Sequence, residues 1–212
     1  MITVKVKICG ITNLEDAQAA IEMGADILGF NFYRQSPRYI ELNEAEKIIC
    51  QLPGFVDVAG VFVNANRPDI QGLTDSGLLN WVQFHGDETS EFCSQFNAWN
   101  LRTIKAVRVR SMDDIDQAQG FETHSLLFDA FDPSQYGGTG KTFDWSLLKE
   151  YPRHVFLAGG INPDNVLKAL QTDVYGIDIC SGIESEPGKK DHAKMQQLFD
   201  NIHSFTGIKV RK

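Results

Sequence analysis

The sequence is short of positive charge, with 20 Lys and Arg against 28 Asp and Glu and a net charge of −8 over 212 residues. Broad electrostatic binding to nucleic acid needs a basic surface, so nucleic acid is not expected as a partner. An anionic membrane surface is excluded on the same ground. An anionic small molecule is still compatible with this charge, provided that local groups bind it.

Long apolar runs are also lacking, and none approaches the roughly 18 residues of a membrane span. Lys5 and Lys7 interrupt the first apolar stretch, which argues against a secretory signal peptide. The cysteines are few and far apart, with no Cys-x-x-Cys pair, which predicts reduced thiols in a cytoplasmic protein. They are Cys9, Cys50, Cys93 and Cys180.

The sequence does contain a coarse repeat of short apolar runs that alternate with stretches of helical periodicity. The runs are Thr3–Cys9, Asp26–Phe32, Val56–Val63, Trp81–His85, Leu101–Val107, Ser125–Asp129, His154–Ala158 and Tyr175–Cys180. The helical stretches are Asn13–Met23, Asn43–Gln51, Glu88–Asn97, Asp144–Glu150, Pro163–Leu170 and Lys190–His203. This alternation predicts parallel strands with right-handed crossovers. Eight units of about 26 residues predict a single-domain (β/α)8 barrel over residues 1–212, with an open doubly wound sheet as the alternative.

Polar side chains follow the predicted strands, where such barrels carry their chemistry. They are Cys9, Gly10, Arg38, Asn64, His85, Asp87, Arg108, Asp129, Gly159, Gly160, Asp178, Ser181 and Gly182. The period of two along a strand turns a further set of side chains into the barrel. That set is Lys5, Lys7, Cys9, Gln83, His85, Lys105, Asp129 and Asp178. Because strand eight closes against strand one, we expect Asp178 to pair with Lys7; a purely structural polar layer is the alternative to a catalytic role.

Two glycine-bearing loops, 157–163 and 178–184, follow the last two predicted strands. Glycine lets backbone N–H groups approach an anion, and this fold often binds phosphate at these two loops. A third loop, 136–142, resembles a nucleotide-binding P-loop, but Gln135 stands where that motif needs its first glycine. We therefore expect this third loop to fold over a substrate; the alternative for Lys141 is a surface charge with no role.

Cys9 and Asp129 lie on strands that face each other across the predicted barrel mouth. A thiolate is a competent base when a cation or a helix N-terminus lowers its pKa, and an aspartate after an apolar strand is a candidate acid. The alternatives are a buried structural cysteine, a turn-forming aspartate, and Asp132 as the acid. A metal site of Cys9, His85, Cys180 and a carboxylate is conceivable, but the spacing matches no known ligand motif.

Several segments occur together in a fixed order and carry a resemblance that runs nearly end to end. They are Lys7-Ile-Cys-Gly-Ile-Thr12, Gly29-Phe-Asn-Phe-Tyr33 with Ser36-Pro-Arg-Tyr-Ile40, Gly60-Val-Phe-Val63, Val82-Gln-Phe-His-Gly86, Gly137-Gly-Thr-Gly-Lys-Thr-Phe-Asp-Trp145, Leu157-Ala-Gly-Gly160 and Asp178 to Glu184. Together they resemble the phosphoribosylanthranilate isomerases of tryptophan biosynthesis.

The resemblance implies a cofactor-free (β/α)8 enzyme without a metal, which rearranges N-(5-phosphoribosyl)anthranilate into 1-(2-carboxyphenylamino)-1-deoxyribulose 5-phosphate. It implies Cys9 as general base, Asp129 as general acid and Arg38 facing the anthranilate carboxylate. It assigns the phosphate to Gly159, Gly160, Ser181 and Gly182, and we expect His85, Lys7 and Asp178 to form a supporting polar layer.

Two positions depart from the family pattern, since Asn31 replaces an apolar residue and Cys180 stands where a serine is common. Two rival functions fit the same barrel: another phosphosugar enzyme such as an epimerase or a lyase, and a non-catalytic phosphate-binding protein. The sequence leaves open whether the protein is a monomer or a homodimer, and whether it also accepts a related histidine-pathway substrate.

Overall fold

Eight parallel strands close into a barrel in chain order in the computed structural model, which describes residues 4–99, 101–133, 136–148, 151 and 154–207. The strands are β1 (Lys5–Cys9), β2 (Ile27–Asn31), β3 (Asp57–Phe62), β4 (Trp81–Phe84), β5 (Arg102–Val109), β6 (Ser125–Ala130), β7 (Val155–Leu157) and β8 (Gly176–Ile179). Strand β1 pairs in parallel with both β2 and β8, which closes the barrel. The predicted (β/α)8 barrel is therefore confirmed, and the open sheet is excluded.

Helices follow the strands as the alternation predicts, with ends set by local caps. They are α1 (Leu14–Met23), α2 (Leu42–Ile49), α3 (Arg67–Thr74), α4 (Ser90–Ser94), α5 (Met112–Ala118), α6 (Val166–Leu170) and α7 (His192–Thr206). At the start of α1, the Asn13 side chain accepts a hydrogen bond from the Asp16 N–H at 2.8 Å. After β6, the stretch expected as a helix over Asp144–Glu150 forms a short 3₁₀ turn, Trp145–Leu148, and its last two residues lie outside the described ones.

A small antiparallel hairpin after β8, formed by β9 (Glu184–Glu186) and β10 (Lys189–Lys190), has no counterpart in the predicted repeat. The sequence places Lys190 in the last helix, but that helix begins at His192. The reason is the Asp191 carboxylate, which accepts the N–H groups of Ala193 and Lys194 at 3.0 Å and so caps the helix there. Lys190, freed from the helix, is 3% exposed and turns toward the barrel mouth.

Apolar side chains fill the barrel interior, and polar side chains lie above them toward the carboxyl-terminal ends of the strands. The apolar set is Ile27, Ala59, Trp81, Ile104, Ala106, Leu127, Phe156 and Ala158. The expectation that Lys5 points into the barrel is wrong: its side chain is 47% exposed at the amino-terminal end of β1 and pairs with Asp26 at 2.7 Å. Alternation sets the face but not the depth, so a residue at the lower rim reaches solvent. Within the described ranges, no helix is long and apolar enough to cross a membrane.

We expect Leu127→Ala to lower the free energy of unfolding by about 2–5 kcal/mol, because this fully buried side chain fills the barrel interior and its loss leaves a cavity. The matched control is Leu167→Ala at a side chain that is 40% exposed, where the change should stay within about 0.5 kcal/mol. Urea denaturation of both variants measures the difference. Equal stabilities would contradict the placement of Leu127.

Candidate active site

One cavity opens at the carboxyl-terminal ends of the strands, and most of the sequence-predicted site residues line it. Those that do are Cys9, Arg38, His85, Asp129, Gly159, Gly160, Asp178, Ser181 and Gly182. Lys7 lies beneath this surface and is fully buried. The structure thus brings the predicted acid, base and anion-binding groups to one place, while their chemical roles stay predictions.

Cys9 sits at the end of β1 among groups that favour its thiolate. The neighbouring Cys180 thiol and the ammonium groups of Lys7 and Lys190 all stabilise the negative charge on the Cys9 sulfur. Burial opposes these effects, yet the net result is a pKa of Cys9 well below the ordinary value of a thiol. A thiolate near neutral pH is what a cysteine base requires.

Lys7 and Asp178 form the buried ion pair that strand alternation predicts. Lys7 Nζ lies 3.0 Å from Asp178 Oδ1, and the strand register places the two residues opposite each other. Burial raises the pKa of Asp178 to about 7, although the Lys7 ammonium acts in the opposite direction. For Lys7, burial favours the neutral amine, but the charges of Asp178 and Cys9 outweigh it and the pKa is raised. Lys7 is therefore a permanent cation under the Cys9 sulfur.

Asp129 ends β6 with its carboxyl group held from two sides. Its Oδ1 accepts the Ala130 N–H at 2.8 Å, and its Oδ2 lies 3.2 Å from His85 Nε2. The other imidazole nitrogen lies 2.9 Å from Gln83 Nε2. Asp129 is only 4% exposed. The two contacts fix the orientation of this carboxyl group at the cavity.

Asp132, the alternative acid, pairs with Lys141 at 2.8 Å and is absent from the cavity lining described above. The inward-facing Lys105 also has a partner of its own: its Nζ lies 2.7 Å from Glu88 Oε2 and 2.7 Å from the Gly86 carbonyl. Each of these two ion pairs joins one buried or inward-facing residue to a partner of opposite charge, so neither pair calls for a catalytic role. Among the described residues, no cluster of three or more His, Cys, Asp or Glu is arranged to hold a metal ion.

Arg38 is held on one edge by a carboxylate that the sequence does not reveal. Glu184 accepts from Arg38 Nε at 2.9 Å and from Nη2 at 2.7 Å, and it also accepts from Lys190 Nζ at 2.9 Å. Burial acts against its charge, but the hydrogen bonds and charges of Arg38 and Lys190 lower the pKa of Glu184. Since the Nε–Nη2 edge is occupied, the remaining Nη1 side of the guanidinium is the one available to a ligand.

The two predicted phosphate loops meet at the cavity wall. In the part of the chain that the structure describes, no hydrogen bond is found from the backbone N–H groups of Gly159, Gly160, Ser181 or Gly182. A side chain at Gly182 would place its Cβ 1.9 Å from the Ile161 carbonyl oxygen, so only glycine lets the loops approach this closely. Free N–H groups on converging loops form an anion-binding concavity.

Residues 136–139 of the third glycine loop line the same cavity, and that this loop folds over a substrate stays a prediction. Gly138 has a φ of +66°, and a Cβ there would come within 2.5 Å of Arg38 Nη1. Tyr136 anchors the loop by a short hydrogen bond to Asp87 and by the Arg108 guanidinium, which lies 4.3 Å from the centre of its ring. Asp87 and Arg108, noted at the strand ends, therefore hold the loop.

Glu184, Lys190 and Gln83 are the site residues whose contacts sequence reasoning missed. Glu184 contacts Arg38 across 146 positions of sequence, and no local pattern signals such a contact. Alternation turns Gln83 inward, but it does not predict the contact with His85. The one signal in the sequence for the hairpin is its glycine turn, Gly188-Lys-Lys190.

Comparison with known proteins gives consistent matches. A sequence model of the family described as N-(5'-phosphoribosyl)anthranilate (PRA) isomerase matches residues 6–201. The N-(5'-phosphoribosyl)anthranilate isomerase of Trichlorobacter lovleyi is 45% identical over 202 residues, covering 93% of this chain and 97% of its own. The crystal structure of the phosphoribosyl anthranilate isomerase from Thermotoga maritima superposes with a TM-score of 0.87 at 41% identity, covering 97% and 100% of the two chains. A solved isomerase in complex with reduced 1-(o-carboxyphenylamino)-1-deoxyribulose 5-phosphate has a TM-score of 0.84 at 39% identity, with the same coverage.

Lys7→Met should raise the pKa of Cys9, because it removes the cation beneath the sulfur. The midpoint of Cys9 alkylation against pH, followed by mass spectrometry so that Cys180 is distinguished, should move to higher pH by about one unit or more. The matched control is Lys105→Met, which removes a buried lysine that is paired with Glu88. Equal midpoints in Lys7→Met and in the unmodified protein would contradict the electrostatic role of Lys7.

Proposed function

The chain belongs to the N-(5'-phosphoribosyl)anthranilate isomerase family, and we propose that Cys9 and Asp129 carry out its reaction as base and acid. The enzyme converts N-(5-phosphoribosyl)anthranilate to 1-(2-carboxyphenylamino)-1-deoxyribulose 5-phosphate, an Amadori rearrangement of tryptophan biosynthesis. The observation that carries the residue assignment is one cavity with a thiol of lowered pKa on β1 and an imidazole-bonded carboxyl group on β6.

The reaction needs two proton transfers of opposite sense. Asp129 gives a proton to the furanose ring oxygen, which opens the sugar to a Schiff base. The Cys9 thiolate then removes the proton from C2′, and the resulting enolamine tautomerises to the ketone. His85 holds the Asp129 carboxyl group in position through its Nε2, 3.2 Å from Asp129 Oδ2, while Lys7 keeps Cys9 charged in the resting enzyme. Each acid or base step of this kind contributes typically about 10²–10⁴-fold.

The substrate carries two anionic groups, and the cavity offers a separate place for each. The Nη1 side of Arg38 presents N–H donors to the anthranilate carboxylate, with Glu184 fixing the guanidinium plane. The free N–H groups of Gly159, Gly160, Ser181 and Gly182 would receive the phosphate. This arrangement explains how a protein with a net charge of −8 binds a substrate with two negative groups.

Assembly, location and domain extent are further parts of the proposal. The related Thermotoga maritima isomerase is a dimer from which monomers have been generated, so a homodimer and a monomer are the two forms to be separated here by sedimentation. A cytoplasmic location follows from the biosynthetic role and the four free thiols. We treat residues 1–212 as one catalytic domain that uses neither a metal nor a cofactor.

Cys9→Ser and Asp129→Asn should each lower turnover by at least about 10²-fold, because each removes one proton transfer and leaves the cavity shape intact. Loss of the fluorescence of the anthranilate adduct follows the reaction. Cys50→Ser, at an exposed cysteine away from the cavity, is the matched control and should keep normal turnover. Near-normal rates in either site variant would overturn its assigned role.

Arg38→Lys should lower kcat/KM by about 10–100-fold, since a lysine ammonium cannot bind Glu184 and a carboxylate through one planar fork. The loss should appear mainly in KM, and it should shrink for a substrate analogue that lacks the anthranilate carboxylate. An equal loss for both substrates would mean that Arg38 does not recognise that group.

A further inference from the structure

Two thiols, Cys9 and Cys180, share the active-site cavity. Strands β1 and β8 pair in register up to Ile8 and Ile179, so Cys9 and Cys180 are the next pair of positions along the two strands. Lys190 Nζ ties the two positions together, at 2.6 Å from the Cys9 carbonyl and 3.4 Å from that of Cys180. Neighbouring strands lie about 4.7–4.9 Å apart, which falls within the roughly 4.4–6.8 Å between Cα atoms that a disulfide spans.

Both side chains point into the cavity, since each lies two positions after an inward-facing residue of its strand, Lys7 or Asp178. The two thiols act on each other's ionisation, and the Cys180 Sγ also lies 3.8 Å from Glu184 Oε1. The other two cysteines, Cys50 and Cys93, lie away from this pair. Cys93 lies within α4 and is 1% exposed, and burial raises its pKa to about 12, whereas Cys50 lies exposed at the end of α2. Neither of them lines the cavity.

We propose that Cys9 and Cys180 are a redox-active pair, which a hydroperoxide that enters the cavity converts to a reversible disulfide. This inference rests on the proposed function only for its effect on turnover, because a disulfide removes the sulfur that we assign as the base. Formation of the bond itself depends only on the two cysteines and their surroundings.

The chemistry is a two-electron oxidation in two steps. The Cys9 thiolate attacks one oxygen of the hydroperoxide, the O–O bond breaks, and the products are a Cys9 sulfenic acid and an alkoxide or hydroxide that takes up a proton. The Cys180 sulfur then attacks the Cys9 sulfur, the S–O bond breaks, and hydroxide leaves with the Cys180 proton as water. Two thiols are oxidised, and one hydroperoxide is reduced to an alcohol, or to water in the case of hydrogen peroxide.

The surrounding charges favour the second step once the first has occurred. In the reduced protein, the hydrogen bond to Cys9 and the thiolate charge of Cys9 keep the pKa of Cys180 raised, and burial adds to the effect. Oxidation of Cys9 to a neutral sulfenic acid removes that charge. Lys190 Nζ, 4.0 Å from the Cys180 sulfur, and the Arg38 guanidinium then remain, and both lower the pKa of Cys180. Cys180 therefore becomes a better nucleophile at the moment when its partner becomes an electrophile.

The test treats the full-length protein with hydrogen peroxide and then with dithiothreitol, and compares it with Cys180→Ser and with the exposed-site control Cys50→Ser. Mass spectrometry of digested protein should find a Cys9–Cys180 linked peptide, lighter by two hydrogen atoms than the two reduced peptides together. The unmodified protein and Cys50→Ser should lose activity with peroxide and regain most of it with dithiothreitol. In Cys180→Ser, Cys9 should proceed to sulfinic acid, and the lost activity should not return.

Three results would overturn the proposal: Cys9 oxidised to sulfinic or sulfonic acid with no linked peptide in the unmodified protein, a disulfide that involves Cys50 or Cys93 instead, or full recovery of Cys180→Ser. Each variant is compared with its own untreated activity, and circular dichroism checks that Cys180→Ser is folded. The linked peptide is detected without an activity assay. If Cys9→Ser proves to turn over normally, the assigned base is wrong, yet the disulfide can still be established or refuted.

Discussion

The arrangement of the active site depends on one electrostatic constraint, the negative charge on the Cys9 sulfur. A buried thiolate is costly unless cations and hydrogen-bond donors surround it. Here the Lys7 and Lys190 ammonium groups and the Cys180 thiol all stabilise the charge on this sulfur. Lys7 and Lys190 in turn need carboxylates, which Asp178 and Glu184 provide. The Lys7–Asp178 and Lys190–Glu184 ion pairs are thus both tied to the charge on one sulfur.

The same constraint connects Cys9 to Arg38, the residue that we assign to the substrate carboxylate. Glu184 neutralises Lys190 and, with the same carboxylate, fixes one edge of Arg38. The lysine that supports the Cys9 thiolate and the arginine assigned to the substrate carboxylate therefore share a single partner. Asp129 stands apart on the opposite side of the cavity, where its partner is His85 rather than a cation. Cys9 and Asp129 therefore have different electrostatic surroundings within one cavity.

The sequence predicts what depends on local period and order, and misses what depends on distant contacts. The strand–helix repeat indicates the barrel, and strand alternation indicates the Lys7–Asp178 pair, because closure of the barrel makes β1 and β8 neighbours. The same alternation misjudges Lys5, since the period of two carries no information on height in the barrel. The contact of Glu184 with Arg38 spans 146 positions and depends on a hairpin that interrupts the repeat. The family resemblance supplies chemical roles that neither periodicity nor spacing could provide.

The most direct test of a thiolate-centred site is the ionisation of Cys9 itself, followed in the unmodified protein by the pH dependence of the carbon-13 shift of its labelled Cβ. We predict that Cys9 is a thiolate at pH values well below the ordinary thiol pKa of about 8.5, while the buried Cys93 remains protonated far above it. A Cys9 signal that stays in the thiol form up to or beyond that pH would contradict the claim that the barrel is built around a thiolate base.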